Sequence, residues 1–199
     1  MSLDKKQLPS KPFERVIVFV DGGYLRATCK ELFGNDDISF ESLSKFIVRS
    51  FNELLKENPF QANLIRIYYY DGIVRETGSE YAKQSEYFER ISNELNYTVR
   101  LGELRKSSKK EPFRQKGVDI RMAIDALTKA YQNHYDHGVF MVGDTDFIPL
   151  IEAVKDAGKK TLLLGLCPAN FTKCPPDLMR VFDQRIYIGF DDIKSWMEK

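Results

Sequence analysis

The chain has 199 residues, of which 43% are hydrophobic, 13% aromatic and 30% charged. That is enough apolar surface for one ordinary globular core, and it excludes disorder as the main state. Thirty basic residues against 29 acidic ones leave a net charge of +1, so no global field draws in a polyanion, and any such attraction must be local.

Residues 1–14 read as a polar lead-in, without the apolar h-region of a secretory signal. Arg15–Val20 is a β-branched and aromatic run ending at Asp21-Gly22-Gly23, a strand followed by a turn. Phe40–Leu55 repeats apolar residues at helical spacing, from Leu43, Phe46 and Ile47 to Phe51, Leu54 and Leu55. Leu64–Tyr70 is a second strand, closed by Asp71-Gly72, and Glu80–Leu95 a helix with Tyr81, Phe88, Ile91 and Leu95 on one side. Tyr97–Leu101 is a short third strand, followed by a basic connector, Arg105–Lys116.

Asp119–Tyr131 is helical, with Met122, Ala123, Ala126, Leu127 and Ala130 facing inward. Gly138–Val142 is a fourth strand. Phe147–Ala157 is a helix with Pro149 in its first turn and Gly158 just past its end, the usual places for both. Lys160–Leu166 is a fifth strand, and a Pro-rich loop leads to a short helix near Asp177–Val181, then to Arg185–Ile188 and Asp191–Met197. No apolar run approaches the roughly 18–20 residues that cross a bilayer, so no membrane partner is expected. Cys29, Cys167 and Cys174, with only His134 and His137 beside them, suit a reducing cytoplasmic setting rather than a disulfide framework or a zinc site.

Strands that alternate with helices over short connections predict an α/β fold: three layers, with a mainly parallel central sheet of about five strands in a Rossmann-like topology. The expected domain spans residues 15–166, with 167–199 as an extension packed on it. In such a sheet, ligands bind at the carboxyl ends of the strands. Asp21 ends the first strand, Asp144 and Asp146 follow the fourth, and Asp119 opens the helix that feeds the same edge. Each has a structural reading: Asp21 suits a turn, Asp119 a helix cap, and Asp144 or Asp146 a cap before Phe147. Four at one edge exceed what capping needs. Two carboxylates about 4 Å apart repel by roughly 4 kcal/mol at an effective dielectric of 20, and a divalent cation relieves this. Carboxylate oxygens suit Mg²⁺ or Mn²⁺, whose shell is completed by water and phosphate. Asp125 lies about 240° around the helix from Asp119 and does not share its face. The two histidines fall at the amino end of the fourth strand and read as surface residues. No Ser-His-Asp or Cys-His pair can be built near the carboxylates.

Asp21-Gly22-Gly23-Tyr24-Leu25, Lys116-Gly117-Val118-Asp119 and the stretch Gly143–Gly165 (GDTDFIPLIEAVKDAGKKTLLLG) together resemble the NYN domain, in the LabA-like branch of the PIN-like nuclease superfamily. The resemblance runs from about Arg15 to Gly165. It implies a PIN-like fold, metal-dependent cleavage of RNA to a 5′-phosphate and a 3′-hydroxyl, and Asp21, Asp119, Asp144 and Asp146 as catalytic and metal-binding carboxylates. Tyr24 stands where many members have Asn, and this favours the alternative of a catalytically weak module that binds RNA or a protein. A haloacid-dehalogenase-type phosphatase needs a second Asp where Gly23 stands, and a receiver domain needs an Asp at the end of the third strand, where Leu101-Gly102-Glu103 stands.

The substrate contacts expected for RNA are Lys109, Lys110, Arg114 and Lys116 on backbone phosphates, Tyr24 or Phe113 stacked on a base, and the Thr145 hydroxyl on phosphate or a neighbouring aspartate. A homo-oligomer is compatible with all of this.

Overall fold

The computed structural model describes residues 12–56, 60–74, 78–105, 114–167 and 174–197. Its centre is β1 (Phe13–Asp21), whose Val16, Val18 and Val20 face one layer of helices while Ile17 and Phe19 face the other. All five are buried, so this strand is apolar on both sides, as a central parallel strand must be.

The remaining strands are β2 (Gln61–Val74), β3 (Tyr97–Arg105), β4 (Arg114–Lys116), β5 (His137–Met141), β6 (Lys160–Leu166) and β7 (Gln184–Ile188). They form one sheet in the order β4-β3-β2-β1-β5-β6-β7. All pairings are parallel except that of β4, which runs antiparallel to β3. The α/β architecture and the mainly parallel sheet therefore match expectation, but the sheet has seven strands rather than about five. One added strand is the three-residue β4, which grows out of the basic connector and is too short to show a period. The other is β7, which pairs with β6 and puts Ile188 into the core.

One layer of helices comprises α1 (Gly22–Phe33), α2 (Phe40–Leu54), α3 (Ser79–Asn93) and α7 (Phe190–Trp196). The other comprises α4 (Val118–Tyr131), α5 (Ile148–Asp156) and α6 (Pro176–Val181). The α1 helix replaces the turn expected after Asp21. The Tyr24 N–H donates to the Asp21 carboxylate at 3.0 Å, which caps the helix, and the chain buries Leu25 and Cys29 from it. Gly34 ends it in the left-handed conformation (φ 77°) with its N–H bonded to the Lys30 carbonyl. The last helix also belongs to the core: Trp196 is fully buried and meets Phe46 edge-on, with ring centroids 5.0 Å apart.

The chain runs outward from β1 to β3, then crosses back to place β5 on the other side of β1. The order of the strands thus reverses between β1 and β5, where Val20 stands in register with Met141. A crevice at that reversal, outside the carboxyl ends of the strands, is where α/β sheets bind ligands. Among the described residues, no helix is long and apolar enough to cross a membrane.

Candidate active site

The crevice is a cavity of about 390 Å³ whose lining includes Asp21, Tyr24, Asp119, Gly143, Asp144 and Phe147. Three of the four expected aspartates therefore share one pocket, and each comes from a different place. Asp21 leaves the end of β1, Asp119 sits in the first turn of α4, and Asp144 follows β5. Asp146 lines the adjoining groove between α4 and α5, which it shares with Asp119, Ile120 and Leu127.

Backbone N–H groups fix two of them. Asp21 caps α1, as described above. Asp144 accepts the Asp146 N–H at 2.9 Å and caps the 3-10 turn Thr145–Phe147. Asp146 is then surplus to capping. Asp119 is not a cap either: Gly117 holds that place in the left-handed conformation (φ 80°), and the Asp119 side chain is left exposed. Its position in the first turn of the helix suits its charge.

The carboxylates repel one another. Burial, and then the charges of Asp119 and Asp71, push the Asp21 carboxyl up to about 6, against the pull of the Tyr24 N–H. Asp119 is pushed above the usual carboxylate range by burial and by Asp144 and Asp146. Carboxylates raised in this way by burial and by one another are ones that a nearby cation would bring back down. Among the described residues no three carboxylate, histidine or cysteine groups stand close enough to form a complete ligand cage. The donor set still fits Mg²⁺ or Mn²⁺, because Mg²⁺ takes one or two protein carboxylates and fills its shell with water and phosphate oxygens.

Tyr24 forms a wall of this pocket. Its ring packs against Gly143, and its hydroxyl oxygen accepts the Leu166 N–H at 3.3 Å. Thr145 opens the 3-10 turn and is exposed. Lys109, Lys110 and Phe113 lie outside the described residues. The backbones of Arg114 and Lys116 form β4, where Lys116 stands opposite Glu103; their side chains lie outside what is described.

Two residues differ from their expected settings. His137 is buried, 2% exposed, rather than on the surface: its Nε2 meets the Glu14 carboxylate and its ring packs edge-on against Phe51. Asp71 is buried inside β2 rather than in a turn that ends it, because β2 continues to Val74. It sits near enough to Asp21 to raise that carboxyl, and its own charge is met by Arg26 at 3.1 Å. An Asp within the apolar run Leu64–Val74 was the available signal, since a buried charge must be paired. Asp125 holds a separate place. It accepts from Tyr70, Arg100 and Lys129, and ties α4 to the sheet rather than entering the pocket.

The NYN domain matches residues 15–189, most of the chain, and the chain belongs to that family. The match extends beyond Gly165 to take in α6 and β7. NYN domains fall within the PIN-like nuclease superfamily, whose members typically use divalent metals. The chain is 33% identical over 72 residues to the uncharacterized protein MJ0482 of Methanocaldococcus jannaschii. That stretch is 36% of this chain and spans only 28% of the relative's length. Its fold is similar to the crystal structure of VPA0982 from Vibrio parahaemolyticus, a protein of unknown function. The TM-score is 0.58 at 16% identity, over 93% of this chain and 98% of the other.

Proposed function

We propose that this chain is a metal-dependent ribonuclease. The observation that carries the reading is the meeting of Asp21, Asp119 and Asp144, from three separate elements, in one pocket at the strand-order reversal. One or two of Asp21, Asp119 and Asp144 would hold Mg²⁺ or Mn²⁺ directly, with the remaining carboxylates and Asp146 reaching it through water. Such an ion supplies an acidified water and neutralises the non-bridging oxygens of a phosphodiester. Asp144 accepts the Asp146 N–H through one oxygen, which would leave the other to orient a water or an ion. Asp21 accepts the Tyr24 N–H in the same way. Asp146, which no cap requires, would help to orient the attacking water. The cationic connector that leads through β4 into α4 would bind the RNA backbone.

The test is incubation with labelled single-stranded and structured RNA in Mg²⁺, Mn²⁺ or EDTA. Cleavage that EDTA and Asp144→Asn both abolish is the expected result; uncleaved RNA under every metal condition overturns the reading.

The second reading is a module that binds RNA or a protein partner with little cleavage. Tyr24 favours it, because a bulky ring lines the pocket at the sequence position where many NYN members carry Asn. RNA binding without cleavage is its distinguishing outcome.

A further inference from the structure

Arg26 sits on α1, a little more than one turn after Asp21, on the side facing β2 and α3. Its Nε donates to Asp36 at 2.6 Å and its Nη1 to Asp71 at 3.1 Å. Its guanidinium lies 4.9 Å from the centroid of the Tyr87 ring. Asp71 in turn accepts the Tyr69 hydroxyl at 3.3 Å and the Gly72 N–H at 2.7 Å. The Tyr69 ring then closes the circuit: a Cβ on Gly22 would lie 2.5 Å from Tyr69 Cζ and 2.6 Å from its hydroxyl. Gly22 is the first residue of α1 and follows Asp21 directly.

The start of α1 is therefore braced from below by one connected set: the Tyr69 phenol under Gly22, Asp71 on that phenol, and Arg26 on Asp71. The inner part of the brace is sealed from water, since Asp71 and Tyr69 are at most 2% exposed, while Arg26 and Asp36 reach toward the surface. A guanidinium that bridges two carboxylates with a charge-assisted bond to each resists movement of either one. It lies on the face of the sheet opposite the one toward which β1 alternation sends Asp21, so Arg26 does not reach the pocket itself.

We propose that Arg26 is a positioning residue for the active site: by pinning Asp71 and Asp36 together it fixes the first turn of α1, and so the orientation of the Asp21 carboxylate. It also supplies the counter-charge that lets a fifth carboxylate, Asp71, lie close behind the pocket without adding its full repulsion.

The test uses the full chain, without metal first. Amide hydrogen exchange is read at Tyr24, whose N–H bonds to the Asp21 carboxylate, and at β5 and β6 as a gauge of the whole fold. Arg26→Met is expected to speed exchange at Tyr24 about tenfold, the size expected for losing one good hydrogen bond, with β5 and β6 unchanged. Arg26→Lys, which keeps a cation on Asp71, is expected to recover part of the protection. Tyr69→Phe, which keeps the ring under Gly22 and removes only one hydroxyl, provides the same reading with a smaller loss if Arg26→Met does not fold. Unchanged exchange at Tyr24, or a rise there only in step with β5 and β6, overturns the proposal.

The second measurement is Mn²⁺ affinity by electron paramagnetic resonance, which rests on the ribonuclease reading above. Arg26→Met is expected to weaken it about tenfold relative to the unsubstituted chain. If the unsubstituted chain itself binds no Mn²⁺, the metal reading fails, and the exchange data alone decide the role of Arg26.

Discussion

The ring of Tyr24 packs on Gly143 so closely that a Cβ there would lie 2.3 Å from Tyr24 Cε2. Helix α1 is thereby joined to the segment that leaves β5, and the Tyr24 hydroxyl joins both to the end of β6. Gly143→Ala has to displace the ring and break that bond. We expect a stability loss of about 1–3 kcal/mol, typical of overpacking, together with weaker Mn²⁺ binding. Urea unfolding and metal titration of the variant check this; wild-type values in both would show that the ring moves aside freely.

Asp119 is repelled by Asp144 and Asp146, and among the described residues no cation lines the pocket with it. Asp119→Asn should therefore trade function for stability. Metal-free melting temperature should rise by roughly 1–3 °C, the shift that goes with less than 1 kcal/mol in a chain of this length. RNA cleavage should fall by at least about a hundredfold. A drop in melting temperature would show that the charge of Asp119 stabilises the fold instead.

Much of this was legible in the sequence, and what escaped did so for physical reasons. The runs Val16–Val20 and Leu162–Leu164 announce buried strands, and α2, α4 and α5 fall within a residue or two of their apolar stripes. The placement of Asp21, Asp119 and Asp144 in one pocket follows from strand ends and the reversal of strand order. Helix α1 was hidden because two glycines, poor helix formers, stand at its start; the Asp21 cap and the burial of Leu25 and Cys29 outweigh them. Asp71 looked like a turn because its partner Arg26 is 45 positions away. The burial of His137 was equally unreadable, since its carboxylate partner, Glu14, is 123 residues distant.

Asp125 provides the contrast to Asp119. It accepts from the Tyr70 hydroxyl at 3.0 Å, Lys129 at 3.2 Å and Arg100 at 3.3 Å, and its carboxyl is held low in spite of burial by Tyr70 and Lys129 and by the charge of Arg100. Asp125→Asn leaves two cations facing a neutral amide. A loss of about 1–3 kcal/mol in urea unfolding is expected, with Mn²⁺ affinity unchanged. A fall in metal affinity at preserved stability would move Asp125 into the active site.

At the amino end of the sheet, Arg15 donates to both oxygens of Asp136 and holds its carboxyl below the usual range. A depressed folded pKa contributes stability above the unfolded value of roughly 3.9 and loses it as pH falls through the folded one. The pair is about one-third exposed, so solvent limits its worth to about 1 kcal/mol or less. Asp136→Asn should therefore be less stable than the unsubstituted chain at pH 7, with the gap closing below about pH 4. A gap that persists undiminished at pH 3 would assign the effect to the lost backbone bond to the Arg15 N–H rather than to charge.

The connector carries the remaining prediction. Lys109, Lys110 and Arg114 lie on the stretch that runs through β4 and Gly117 into the first turn of α4, where Asp119 stands. If these cations meet backbone phosphates, each releases condensed counterions, and log affinity falls with log salt by roughly 0.7 per contact on a single strand. Replacing all three with Ala should lower the slope by about 2 and weaken RNA binding most at low salt. The acidic pocket supplies no favourable field of its own, so the loss should appear in affinity and KM, with kcat on saturating RNA nearly unchanged. Binding isotherms between low and physiological salt measure this. A slope equal to that of the unsubstituted chain would place the phosphate contacts elsewhere and leave the connector as solvated surface.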